Sequence, residues 1–123
     1  MVKAGVKSGK RKLWKLRIGS HCSGWETITM AARAIGVPGK SIDLKFSSDI
    51  DPHCSEVIRQ NNPGRKNIYE DVTQVDHNHT PNVDIFTAGI PCQPFSGEGA
   101  RLGTTDKRGR IGTHCIDYIL TQR

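Results

Sequence analysis

Pro91-Cys92-Gln93-Pro94-Phe95-Ser96 is the stretch of this chain best suited to covalent chemistry. A thiol stands between two prolines, at the end of the apolar, β-prone run Val83-Asp84-Ile85-Phe86-Thr87-Ala88-Gly89-Ile90. Proline cannot donate to a sheet ladder, so the strand must end here and leave Cys92 on a stiff loop at its mouth. In open α/β sheets ligands gather at the carboxyl ends of strands. A cysteine there is a candidate nucleophile, acting as its thiolate. Free cysteines also serve as small buried hydrophobes, and residues 84–89 also read as an ordinary core strand with a structural loop behind it.

The elements that must position this thiol follow from the apolar pattern. Leu13 to Ile18 alternates apolar and basic residues as a strand, Gly19 to Gly24 turns the chain, and Trp25 to Ile35 reads as a helix with Ile28, Ala31, Ala32 and Ile35 on one face. Gly36, Pro38 and Gly39 end that helix. Ile42, Leu44 and Phe46 mark a second strand running to Ser48. Pro52 suits a helix start with Asp51 as its cap, and Asn61-Asn62-Pro63-Gly64 closes it. Asn67-Ile68-Tyr69 is a short third strand, Val83 to Ala88 the fourth, and Ile111 to Leu120 a last helix with Cys115, Tyr118 and Ile119 at helical spacing. Strand and helix alternate, so the fold class is α/β with a parallel, doubly wound sheet. The polar connection from Gln74 to Pro81 leaves one crossover helix stunted or absent. In such folds an acid about 20 residues beyond the first turn accepts hydrogen bonds from ribose hydroxyls, and Asp49 stands near that spacing from Gly24. An acid at a strand end is also a common cap or turn residue.

Asp84 through Ser96 resembles the catalytic-cysteine motif of the DNA cytosine-5 methyltransferases, and its Pro-Cys-Gln core with Phe-Ser behind it is a specific signature. Further stretches in family order extend the resemblance over residues 16 to about 120. Ser20-His21-Cys22-Ser23-Gly24-Trp25-Glu26-Thr27 falls where the family carries its first S-adenosylmethionine motif, typically Asp-Leu-Phe-x-Gly-x-Gly. Gly24 is retained; Ser20 replaces the leading acid, Cys22 the aromatic, and Glu26 and Thr27 the later small positions. Asp49-Ile50 resembles the second motif and Asp71-Val72 the third.

The resemblance implies a Rossmann-like S-adenosylmethionine-dependent sheet with about four strands. It implies a cofactor set of Cys22, Ser23, Gly24, Trp25, Glu26, Thr27, Asp49, Ile50, Asp71, Val72, Gly89 and Pro91. Cys92 is then the nucleophile that adds to C6 of a cytosine flipped out of double-stranded DNA. Gln93 and Ser96 are suited to the displaced side or a phosphate, and Arg101, Lys107, Arg108 and Arg110 lie in a glycine-rich loop that resembles the one closing over DNA. An ordinary surface loop with solvated charges is the alternative. The family's Glu-Asn-Val and arginine motifs are expected beyond residue 123. The chain therefore reads as an amino-terminal portion of a catalytic domain, with the remainder of that domain as its partner and no competence alone. A non-catalytic nucleic-acid-binding remnant of the same fold is the rival function.

Composition sets the outer bounds. The chain has 123 residues, enough for one domain, divided into a basic leader over 1–12 and a partial catalytic domain over 13–123. No run approaches the ~18 apolar residues of a membrane span. Lys3, Lys7, Lys10, Arg11, Lys12, Lys15 and Arg17 all precede the first acid, Glu26, and the rest of the chain is close to neutral. That leader reads as a disordered tail, a phosphate-binding arm or a nuclear-localisation signal, which points to the nucleus or nucleoid. Cys22, Cys54, Cys92 and Cys115 form no CxxC pair, so free thiols in a reducing compartment are expected. His21-Cys22, His53-Cys54 and His114-Cys115 repeat a dipeptide whose adjacent donors do not suit a tetrahedral metal, and no metal is expected. Asn78-His79-Thr80 fits a glycosylation acceptor pattern without other signs of secretion.

Overall fold

Ile42, Leu44 and Phe46 alternate along the most regular strand of the chain, and in the computed structural model that strand sits inside a four-stranded parallel sheet. The structure describes residues 13–98 and 101–122; the basic leader over 1–12 lies outside the described residues. In chain order the elements are β1 (Leu16–His21), α1 (Thr27–Ala34), β2 (Ile42–Ser48), α2 (Pro52–Asn61), β3 (Ile68–Tyr69), β4 (Ile85–Ala88) and α3 (Arg110–Thr121). The strand order is β3-β2-β1-β4. The chain winds outward from β1 to β3 and then returns to the far side of β1, so the winding reverses between β1 and β4. Such a reversal opens a crevice at the carboxyl ends of the two strands. Between β3 and β4 the described chain makes only a 3-10 turn (Val72–Gln74) and polar turns, as the stunted crossover predicts.

One face of the sheet is aliphatic. Ile18, Ile42 and Leu44 pack against Ala32 of α1 and Ile58 of α2, all buried. Burial of each larger side chain stabilises the fold by roughly 1.5–3 kcal/mol. Local chemistry fixes where α2 begins: Asp51 Oδ1 accepts from the His53 N–H at 2.9 Å and Pro52 takes the first turn, where no amide partner is needed.

The other face is aromatic. The register between β1 and β2 shifts after Ile18, so Lys45 is extra and Phe46 lies opposite Gly19. This bulge swings Phe46 to the opposite face from Leu44, where its ring meets Tyr118 of α3 at 4.9 Å and His21 at 5.1 Å between centroids. Phe86 of β4 closes the group, 4.7 Å from Tyr118.

Three elements have boundaries that differ from the sequence pattern. β1 is displaced to Leu16–His21 and runs through Gly19, which the sequence reading assigned to a turn. Gly19 serves packing instead: a Cβ there would collide with Phe46 Cε1. Helix α1 begins at Thr27 rather than Trp25, because Gly24 and Glu26 hold φ of +55° and +62°. β4 is two residues shorter than the apolar run. Asp84 accepts from the Arg17 backbone N–H at 2.8 Å and from its guanidinium at 2.6 Å, and that pairing holds the Asp84 carboxyl down to about 2.

Candidate active site

The turn after β1 is tied to the end of β2 by backbone and hydroxyl bonds. The Ser23 N–H donates to Ser48 O at 2.9 Å, and the Gly24 N–H donates to Asp49 Oδ2 at 2.8 Å. Cys22, Gly24 and Glu26 all adopt positive φ within this turn, a backbone that only glycine takes without cost. The other Asp49 oxygen, Oδ1, accepts from the Asp51 N–H at 3.0 Å. Asp49 is thus held at the rim by two backbone amides, with lone pairs left over for a ligand.

Beside it opens a pocket of about 280 Å³. Cys22 and Gly24 of the β1 turn, Asp49 and Ile50 after β2, and Asp71 and Val72 after β3 line it. Gly89 and Pro91 after β4 complete the rim, so eight of the twelve expected cofactor residues converge from four strand ends. Ile50 is 80% exposed at the lip, an apolar platform for a planar ring. Asp71 Oδ1 accepts from the Thr73 N–H and hydroxyl, both at 2.8 Å. At Gly89 a Cβ would lie 3.0 Å from Cys22 O, so the ends of β1 and β4 approach closely only because that residue is glycine. Burial, and then the Asp49 charge, push the Cys22 thiol up, which keeps it protonated and unreactive.

Four expected residues fall elsewhere. Ser23, Glu26 and Thr27 line a second cleft, of about 400 Å³, between the β1 and β4 ends and α1. Trp25 lines neither space and is 64% exposed. Conversely, Ser48 and Ile111 line the first pocket and were not among the expected residues. Ser48 ends β2 beyond the bulge at Lys45, so its place in the pocket depends on strand pairing that the alternation of β2 does not show. Ile111 reaches the pocket only through the placement of α3.

Cys92 is exposed and free. It sits one residue beyond Pro91, on a turn closed by the Phe95 and Ser96 N–H groups donating to Cys92 O at 2.9 and 3.0 Å. Pro94 is buried beneath this turn, and its carbonyl accepts from the Gly103 N–H at 2.9 Å, which fastens the following loop to the cysteine turn. Gln93, Arg101, Lys107, Arg108 and Arg110 are all exposed and Ser96 is half-buried. Arg108 is already paired with Asp106 at 2.9 Å. Gly99 and Ala100, within the same loop, lie outside the described residues.

Among the described residues no three His, Cys, Asp or Glu side chains stand together as a metal site, and no helix is long and apolar enough to cross a membrane.

A family model described as C-5 cytosine-specific DNA methylase matches residues 16–123. The chain is 44% identical over 66 residues to type II methyltransferase M.NlaIV of Neisseria lactamica, covering 54% of this chain and 15% of that protein. It is 35% identical over 79 residues to type II methyltransferase M.Eco47II of Escherichia coli, covering 63% of this chain and 19% of that one. The orphan methyltransferase M.Rho11sI of Bacillus phage rho11s is 34% identical over 106 residues, 85% of this chain and 20% of the relative. The chain therefore spans about a fifth or less of the length of these curated relatives.

Proposed function

Because the chain belongs to the C-5 cytosine-specific DNA methylase family, we propose that it carries the cofactor pocket and the nucleophile of a DNA cytosine-5 methyltransferase. The observation that supports this reading most directly is adjacency. Gly89 and Pro91 line the pocket that Asp49 and Asp71 border, and the exposed Cys92 is the next residue.

The pocket suits S-adenosylmethionine by the chemistry of its lining. Ile50 and Val72 offer an apolar seat for a purine, Asp49 offers acceptors for ribose hydroxyls, and Asp71 Oδ2 offers one for an exocyclic amine. When bound, that cofactor supplies an electrophilic methyl group on its sulfonium. The protein's part is nucleophilic. Cys92 adds as thiolate to C6 of a flipped cytosine, which makes C5 electron-rich. Once C5 is alkylated, loss of its proton expels the sulfur and restores the ring. Gln93, Ser96, Arg101, Lys107, Arg108 and Arg110 face duplex DNA in this reading, the cations on phosphates. The rest of the catalytic domain supplies the groups that steady the cytosine.

The test is covalent trapping by the whole protein on a duplex containing 5-fluorocytosine, in the presence of S-adenosylmethionine. The wild type gives a denaturation-resistant adduct and Cys92→Ala gives none. DNA retention with no adduct from the wild type overturns the catalytic reading in favour of a binding remnant.

A further inference from the structure

In the second cleft Glu26 is 1% exposed, and its side chain turns back toward the sheet. Its Oε2 accepts from the Ser20 hydroxyl at 2.6 Å and, more closely still, from the Ser47 hydroxyl. Ser23 Oγ lies 2.6 Å from Ser20 Oγ, so three serines converge around one carboxylate oxygen. The other oxygen, Oε1, is buried with no partner among the described residues. Among the described residues no lysine or arginine lines the cleft. A buried carboxylate without a cation is costly, and a proton on Oε2 does not repair the fault. A serine hydroxyl can accept that proton, but among the described residues Oε1 still lacks a donor.

The cleft shares Cys22 and Gly89 with the pocket bordered by Asp49 and Asp71. One elongated ligand can therefore lie in both, its base and ribose in the pocket and its other end against Glu26. The residues involved are also two of the four places where the first cofactor motif departs from its usual form: the acid missing at Ser20 and the extra acid at Glu26 meet through a hydrogen bond.

We propose that Glu26 is the residue that receives the α-ammonium of the cofactor's methionyl end, restoring from the start of α1 a carboxylate that Ser20 no longer provides. Ser20 and Ser47 hold Oε2, Ser23 braces the Ser20 hydroxyl, and Oε1 is left for the ammonium. The inference rests on the S-adenosylmethionine reading above and adds which residue recognises the amino-acid end. Burial pushes the Glu26 carboxyl up, against the pull of the three serine hydroxyls, and the arriving cation offsets that penalty.

The test compares dissociation constants of the whole protein for S-adenosylhomocysteine, its desamino analogue and methylthioadenosine, which lacks the amino-acid end. In the wild type, removal of the amine weakens binding by about tenfold or more. Glu26→Gln weakens S-adenosylhomocysteine by a similar factor and leaves the desamino analogue and methylthioadenosine within about twofold. A desamino analogue that binds the wild type as tightly as S-adenosylhomocysteine overturns the proposal without any variant. Equal weakening of all three ligands by Glu26→Gln also overturns it, since that is the mark of a purely structural carboxyl. If the wild type binds none of the three, the cofactor reading itself falls and this inference falls with it.

Discussion

On one face of the sheet Ile18, Ile42, Leu44, Ala32 and Ile58 form an aliphatic cluster with no ionisable member. On the other, Phe46, Phe86 and Tyr118 surround His21, whose ring stands 5.5 Å from that of His77, and His77 stands 6.1 Å from His114. The His21 Nδ1 pairs with Ser48 Oγ at 2.7 Å, while its Nε2 and both His77 nitrogens are buried without partners among the described residues. The first face holds the fold together by area alone. The second does so with groups that can take a proton, and through Ser48 it also forms the floor of the pocket. Stability on one face is therefore indifferent to pH, and on the other it is not.

The largest expected effect comes from breaking the aliphatic face. Ile58→Ala removes a fully buried side chain and costs about 2–5 kcal/mol, read as a lower urea midpoint. The size of the loss should be the same at pH 7 and pH 5.

Acid challenges the aromatic face. Burial, and then the neighbouring His77 and His114, hold His21 down to about 4. In the unfolded chain its pKa returns to the ordinary ~6.5. Above that value both states are neutral and the full stability is present. As pH falls toward 4 the unfolded chain takes up a proton that the folded one refuses, and about 3 kcal/mol is lost. His77, shifted down for the same first cause, acts in the same direction. Denaturant midpoints between pH 7 and pH 4.5 measure this, and His21→Phe should flatten the slope. A profile unchanged by that variant would mean that the acid sensitivity arises elsewhere.

A milder change sharpens the same contrast. Tyr118→Phe keeps the ring stack but removes the hydroxyl that donates to Pro81 O at 2.8 Å. The expected loss is about 1 kcal/mol, with no change in pH dependence.

The aliphatic face was legible beforehand, because Ile42, Leu44 and the Ile28–Ala32 spacing each declare a face through their own period. The aromatic face was not. Phe46 alternates with Leu44 as if both faced the same way, and only the extra residue at Lys45 separates them. A bulge is a property of two paired strands, and the apolar pattern of one strand carries no trace of it. His21 reads as a turn residue, and only the placement of Tyr118 of α3 beside it and His77 shows that both belong to this face.

By itself the sequence determined what depends on neighbours along the chain. The β2 span, the Asp51-capped start of α2, the position of α3 to within a residue at each end and the loop at Cys92 all follow from backbone preference and short-range spacing. Tertiary structure alone decided what depends on separate segments meeting. Four strand ends had to align before Asp49, Asp71, Gly89 and Pro91 could share a pocket. Ser47 had to arrive from β2, 21 positions away, before the Glu26 carboxyl had its setting. Through-space contacts between distant positions are set by strand register and sheet order, and neither can be read from any one stretch.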